Sequence, residues 1–193
     1  MPPTPRPDVL DFLATRRSRP AKTLRAPAPD AAALRPMLEI AARTPDHGKL
    51  EPWRFVVLQG AALTRLSETT IAHGARRGEP EEKVAKAATA FADAPLVVAV
   101  IASPKPSEKV PEIEQHLSAG AVCLALVNAA LASGWGANWL SGWMAIDRDW
   151  LTEALDLAPQ EFVAGFIHIG TESSAPPERP RPDLDAITTW VDA

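Results

Sequence analysis

Strand-like and helix-like segments alternate along this chain, which predicts a mixed fold, α+β or α/β, with a central sheet sandwiched between helices. Three segments read as strong strands, 54–59, 95–102 and 162–169, with a fourth near 135–139, and helical periodicity fills the intervals. Ala94–Ala102, APLVVAVIA, is an unbroken, β-branched apolar run. A strand buried on both faces reads this way, and it calls for a helix layer on each side. From Pro111 to Ser133 the chain reads as one long helix, polar at Glu112, Glu114, Gln115 and His116 and then apolar on nearly every face. Such a helix has to be covered all round, which a second subunit does more readily than one domain of this size.

Composition narrows the class. At 193 residues, 46% apolar and 23% charged, the chain suits one soluble domain with a sizeable core. Its net charge of -4 and scattered cations argue against a nucleic-acid partner. The one cysteine, Cys123, excludes an intrachain disulfide and a multi-Cys metal site, and its Ala, Val and Leu neighbours mark it as a small buried filler. The start, MPPTPRPDV, has no apolar run of a leader peptide, so the cytoplasm is the expected compartment. Leu117–Leu140 is apolar enough to raise a membrane span, but Ser118, Asn128, Ser133, Asn138 and several glycines favour a buried core helix and no membrane partner.

In chain order, residues 1–7 form a Pro-rich arm. Asp8 is placed to cap a helix through Val9, Leu10, Phe12 and Leu13 to about Thr15, with one buried face. That helix delivers Arg16, Arg17, Ser18 and Arg19 and stops at Pro20. Three guanidiniums and a hydroxyl at a helix end read as a phosphate clamp, because the Arg fork matches phosphate oxygens two at a time, or as a solvated basic end complementing the helix dipole. Asp30 begins the next helix, with Leu34, Met37, Leu38 and Ala41 on one face; Pro36 removes a backbone donor inside it, so a kink or late start is expected. Then comes Ala41–Phe55, AARTPDHGKLEPWRF. Pro45 ends the helix and Pro52 sets the approach to the strand. Between and beside them Arg43, His47, Lys49 and Arg54 can present cations and a ring donor to something flat; the alternative is a polar connection with Trp53 plugging the core.

Two helices, 61–73 and 81–92, show no chemistry of their own, and His73 reads as a surface residue near a helix end. After the long helix, GWGANWLSGW (134–143) combines glycines with aromatics. It follows a helix and has Trp139 where the third glycine of a dinucleotide fingerprint belongs, so its glycines are read as allowing close approach of a flat ligand or another chain. A short helix at 147–155, the strand FVAGFIHI with His168 as a core histidine, and a Pro-rich tail with Arg179 and Arg181 complete the chain. The tail ends in an amphipathic stretch, 184–191, suited to packing on another surface. A zinc site would need Asp46, His47, Glu114 or His116 to converge without a fixed spacing, and neither a G-x-S-x-G elbow nor a Walker loop is present. Cations and glycines with no evident acid, base or nucleophile are the inventory of an enzyme that takes its chemistry from a cofactor.

The motifs taken together resemble the FMN-dependent nitroreductase family, in its short YdjA-like branch. They are Arg16-Arg17-Ser18, Arg43-Thr44-Pro45-Asp46-His47 with Pro52-Trp53-Arg54-Phe55, Val110-Pro111 with Glu114-Gln115 and Ser118-Ala119-Gly120, Gly134-Trp135-Gly136 with Trp139 and Ser141-Gly142, and Gly165-Phe166 with Ile169-Gly170-Thr171, in order from about residue 9 to 171. The resemblance implies a nitroreductase-like α+β fold with a mostly antiparallel sheet, one domain with arms at 1–7 and about 172–193, and an intertwined homodimer. It implies FMN in clefts at the subunit interface, NADH or NADPH as co-substrate, and a nitroaromatic, a quinone or another small molecule as electron acceptor. Arg16, Arg17 and Ser18 match the segment that holds FMN from one subunit, and Arg43 and His47 match positions reaching it from the other, with Lys49 in the same loop. Trp139, Leu140 and Ser141 match a further flavin-contacting segment, and 129–134 a nicotinamide-nucleotide region. No acid–base residue is implied. Glu51 and Leu140 depart from the branch, which favours Gln and Arg there; a carboxylate at 51 near the flavin disfavours the reduced anion unless Lys49 or Arg54 pairs with it, and Arg179 or Arg181 is a candidate for a further phosphate contact from the tail. Two alternatives share the observations: a flavin-binding dimer without reductase turnover, and an interaction module using the arginines and the Gly–Trp segment for partner contacts.

Overall fold

The computed structural model describes residues 3–192. Its sheet is built from β1 (Leu24–Arg25), β2 (Trp53–Leu58), β3 (Val97–Ala102), β4 (Gly136–Leu140) and β5 (Phe162–Glu172). The β2–β3, β3–β5, β4–β5 and β1–β5 pairings are all antiparallel, which decides for α+β. All six residues of β3 are buried, as its unbroken apolar run requires. One face is covered by α2 (Ala31–Ala41) and α5 (Glu112–Ala132), where Leu34, Met37, Val98, Val100, Leu126 and Ile167 share a core. The other face is covered by α3 (Ala61–Arg77), α4 (Glu81–Ala92) and α6 (Arg148–Leu155), around Leu66, Phe91, Val97, Ile101, Trp150 and Phe166. By length and composition α5, alone among the helices of the described residues, would pass as a membrane span; half of that stretch is buried in this core.

Local chemistry explains most boundaries. Asp30 caps α2 by accepting from Ala33 N at 2.8 Å, and the helix runs through Pro36 without a late start. Helix α1 (Pro7–Thr15) starts two residues earlier than expected: Pro7, with φ preset for a helix, opens it, and Asp8 lies in the first turn instead of capping it. Its apolar face is not buried in this chain, for Leu10 and Leu13 are exposed. Helix α3 runs a turn past the expected end and stops on Gly78 at φ 66°. Gly74 allows α3 and α4 to meet, since a Cβ there would lie 2.4 Å from Val84 Cγ2.

The extra turn of α3 makes His73 a buried residue rather than a surface one. Its ring lies between Asp147, 3.0 Å from Nε2, and Glu153, 3.4 Å from Nδ1, and stacks on Trp143. Asp147 also caps α6 through Trp150 N, and Arg76 and Arg77 bond to Glu153 and Asp147. This corner joins α3 to α6 and takes no part in the site described below. After β5 the tail is irregular apart from one turn, α7 (Leu184–Ile187), and leaves Leu184, Ile187, Trp190 and Val191 exposed. Residues 1, 2 and 193 of the expected arms lie outside the described residues.

Candidate functional site

Arg16, Arg17 and Ser18 leave the end of α1 and meet the returning tail. With Arg179 and Arg181 they line a cleft of about 600 Å³ that no carboxylate lines. Arg16 bonds to Ser18 Oγ at 2.9 Å, while Arg17 bonds to the Pro177 carbonyl at 2.9 Å. Glu178 is the one carboxylate among the described residues within ion-pair reach of these four arginines, 4.0 Å from Arg17 and 3.0 Å from Arg181. Arg16 Nε and Arg17 Nε are buried without a hydrogen-bond partner among the described residues. Burial first, then the charges of Arg181 and Arg17, hold the Arg16 guanidinium below the usual arginine range. Crowded, partly desolvated cations with open N–H groups are what a phosphate dianion satisfies. A phosphate such as that of FMN fits this arrangement.

The strap after Ser18 is tied to β4. Arg19 N donates to the Ala137 carbonyl at 2.8 Å, and Asn138 Nδ2 donates to the Arg19 carbonyl at 2.7 Å. Trp139 follows Asn138 on β4, and three features hold it. A bulge between β3 and β5 skips Ala164, whose carbonyl accepts from Trp139 Nε1 at 3.2 Å. Gly165 leaves room for the indole, which a Cβ would meet at 2.2 Å. Gly120 of α5 lies at the ring's far edge, with a built Cβ 4.0 Å from it. Leu140 points the other way, into an apolar groove under α4 beside Lys86 and Ala90, and Ser141 follows at the strand end. Behind the arginines a smaller cleft, about 300 Å³, joins Arg16 and Arg17 to Leu131, Gly134 and Trp135 at the end of α5.

Arg43, His47 and Lys49 lie elsewhere, at the opposite end of α5. Asp46 organises their loop by accepting from Leu50 N at 3.3 Å and Glu51 N at 2.7 Å. Gly48, Lys49 and Glu51 take positive φ values of 74°, 53° and 48°, unusual for two non-glycines and held by that carboxylate. His47 Nδ1 lies 2.7 Å from Glu114 Oε2 in the first turn of α5. Arg43 and Lys49 are exposed and unpaired among the described residues. Glu51 makes no ion pair with Lys49 or Arg54 among the described residues, and Arg54 instead makes a two-pronged bond to Glu161 at 2.8 Å in both arms. Trp53 is tethered to α5 by donating to Ser118 Oγ at 3.1 Å, so it anchors the loop as much as it fills the core. Glu114 as the partner of His47 was not readable from spacing, since the two are brought together only by the packing of α2 on α5. No cluster of three metal-ligating side chains occurs among the described residues.

Residues 13–171 match the profile of the nitroreductase family. The chain belongs to the nitroreductase family. Among its curated relatives in that family, "Putative NAD(P)H nitroreductase YdjA" of Escherichia coli (strain K12) is 35% identical over 164 residues, covering 85% of this chain and 88% of its own. A protein of Haemophilus influenzae, also named as an NAD(P)H nitroreductase on provisional terms, is 40% identical over 166 residues, with the same 85% and 88% coverage. Among solved structures, a nitroreductase-like family protein from Bacillus cereus superposes with a TM-score of 0.80 at 20% identity over 100% of both chains. A nitroreductase with bound FMN from Bacteroides fragilis superposes with a TM-score of 0.73 at 19% identity, covering 96% of this chain and 99% of its own. At those identities the structures establish the nitroreductase fold, as expected from the motifs.

Proposed function

We propose that the chain is a single nitroreductase-type domain that works as a cytoplasmic homodimer, binds FMN, and reduces a small acceptor such as a nitroaromatic or quinone at the expense of NADH or NADPH. The observation that carries the reading is the arginine cleft, with four guanidiniums, one nearby carboxylate and two buried Nε atoms lacking hydrogen-bond partners among the described residues. In this reading Arg16, with Arg181 and Arg179 from the tail, neutralises the FMN phosphate, and Ser18 keeps the Arg16 fork in place. Trp139, Leu140 and Ser141 offer the rim of β4 to the flavin ring. When bound, FMN supplies the redox chemistry: it accepts a hydride from the nicotinamide and hands two electrons to the acceptor.

The homodimer is supported by distance and by exposed surface. His47 sits at the first turn of α5 and Arg16 at its last, and from Glu114 to Leu131 the helix rises roughly 25 Å. One extended FMN does not span both groups within one chain, so Arg43, His47 and Lys49 serve the cofactor held by the partner. Along the outer face of α5, Ile113 and Leu117 are 61% and 67% exposed, and Ile40, Leu10 and Leu13 continue the apolar surface. Such a patch marks an interface. The bond from Glu114 holds His47 with Nδ1 engaged and leaves Nε2 to face a ligand.

An absorption spectrum of the purified protein, before and after NADPH under nitrogen, tests the proposal. A flavin spectrum that bleaches on addition is expected. A protein that stays colourless after incubation with FMN and gel filtration sinks it.

A further inference from the structure

Given the homodimer of the preceding reading, on which this rests, we propose that Asn128 sets the register of the two subunits by capping the first turn of the partner's α5. Ile113, Leu117, Ala121, Leu124 and Asn128 fall on one stripe of α5, because steps of three and four residues return to the same side of a helix. Ile113, Leu117 and Leu124 are 61%, 67% and 46% exposed, so the chain itself leaves the stripe bare. Asn128 is its one polar member, and its Oδ1 is buried without a hydrogen-bond partner among the described residues. The groove it lines, between α1 and α5, also holds Asp8 and Ser133, and neither has a donor to spare. Ser133 Oγ donates to the Ala129 carbonyl at 2.8 Å, and the Asp8 carboxylate accepts from Arg6 at 3.1 Å. A buried acceptor left in this way costs free energy, so its donor has to come from outside the chain.

The other end of α5 has the complementary need. Pro111 occupies its N-cap position and brings no acceptor, so no side chain among the described residues caps the first turn, where Glu112 and Ile113 carry N–H groups that the helix cannot use. Laid antiparallel on its own copy about Ala121, the stripe puts Leu117 of each subunit against Leu124 of the other, and Asn128 against the partner's first turn. Each unpaired acceptor then meets unpaired donors, twice over, as a two-fold interface requires. Antiparallel order also brings the His47 end of each α5 to the arginine end of its partner. Parallel order leaves both first turns uncapped and the two ends of the site apart. A single Asn in an apolar helix seam fixes register and orientation in this manner, at some cost in stability.

A spin label on Glu68→Cys, an exposed position of α3 on the far side of the sheet from α5, reads the register, because Cys123 is buried and does not take the label. Double electron–electron resonance and sedimentation velocity are applied to the labelled full chain with FMN, in the native background and with Asn128→Leu or Asn128→Ser, and thermal melting confirms that each variant folds. The native background is expected to give a dimer with one narrow distance. Asn128→Leu completes the apolar stripe and removes the acceptor. Its dimer is expected to persist with a broadened or second distance, and its FMN affinity to fall by roughly threefold to tenfold as pairs out of register split the site. Asn128→Ser keeps an oxygen able to cap a helix and is expected to keep the single distance. A single narrow distance in the Leu variant, or Leu and Ser variants that behave alike, overturns the inference and leaves the homodimer standing. A monomeric native chain overturns both.

Discussion

Two groups of arginines in this protein differ in what surrounds them. Arg54, Arg76 and Arg77 each end on a carboxylate, of Glu161, Glu153 and Asp147, and Arg148 ends on the carbonyls of Leu157, Ala158 and Glu161. Arg16, Arg17, Arg179 and Arg181 have Glu178 as their one carboxylate among the described residues. The first group is saturated and cross-links α3, α6 and the start of β5. The second is held close together by backbone geometry, with its charge uncompensated. Net charge and residue counts do not separate the two groups; the count of acids around each cation does.

The largest effect that sharpens this contrast is expected from Arg16→Ala combined with Arg181→Ala. Losing two charge-assisted contacts of about 2 kcal/mol each lowers FMN affinity by roughly a thousandfold, measured by flavin fluorescence on titration, while the melting temperature holds or rises. Wild-type affinity in the double variant would remove these arginines from the phosphate site. Arg54→Ala should do the reverse. It strands the Glu161 carboxylate, which is 8% exposed, and costs about 2 kcal/mol in urea unfolding, with FMN affinity unchanged.

Acid provides a smaller and independent check on the same pair. The Arg54 bond is the main reason the Glu161 pKa falls from 4.5 to about 2 in the folded chain. A carboxylate depressed on folding contributes its stability in full above its unfolded value and loses it as pH drops through the folded one. The stability gap between the native chain and Arg54→Ala is therefore full at pH 6 and shrinks from about pH 4.5 toward pH 2. A gap equal at pH 6 and pH 3 would show that Glu161 is not the carboxylate responsible. The smallest effect is expected from Glu114→Gln. His47 and Glu114 are exposed partners, so weakening this contact changes FMN affinity by only about 0.5 kcal/mol, a twofold to threefold shift in the same fluorescence titration. A hundredfold loss would mean that Glu114 contacts the ligand directly.

Much of the fold was legible because its signals are local. Asp30 capping α2, the apolar run of β3 and the all-round apolar α5 need only neighbouring residues to be recognised. His73 was misread because its burial depends on α3 continuing one more turn and on Asp147, far along the chain. The site was legible in part: Arg16, Arg17 and Ser18 stand together in sequence and in space. Arg179 and Arg181 join them only because the tail after β5 folds back across the end of α1. Trp139 was recognisable as unusual among glycines, but its bond to the skipped Ala164 carbonyl depends on a bulge that no local pattern marks.

The sequence by itself determined the element types, the two-sided burial of β3, the inert cysteine and the family, because each rests on periodicity, composition or ordered motifs. Burial confirms the last local reading, lifting the Cys123 thiol pKa to about 12. Only the tertiary structure decided that every strand pairing is antiparallel, that Arg54 is spent on Glu161, that His47 is held by Glu114, and that two sets of site residues lie at opposite ends of α5. The physical reason is that pairing, counter-charge and distance are properties of groups remote in sequence. They exist only once the helices have packed on the sheet.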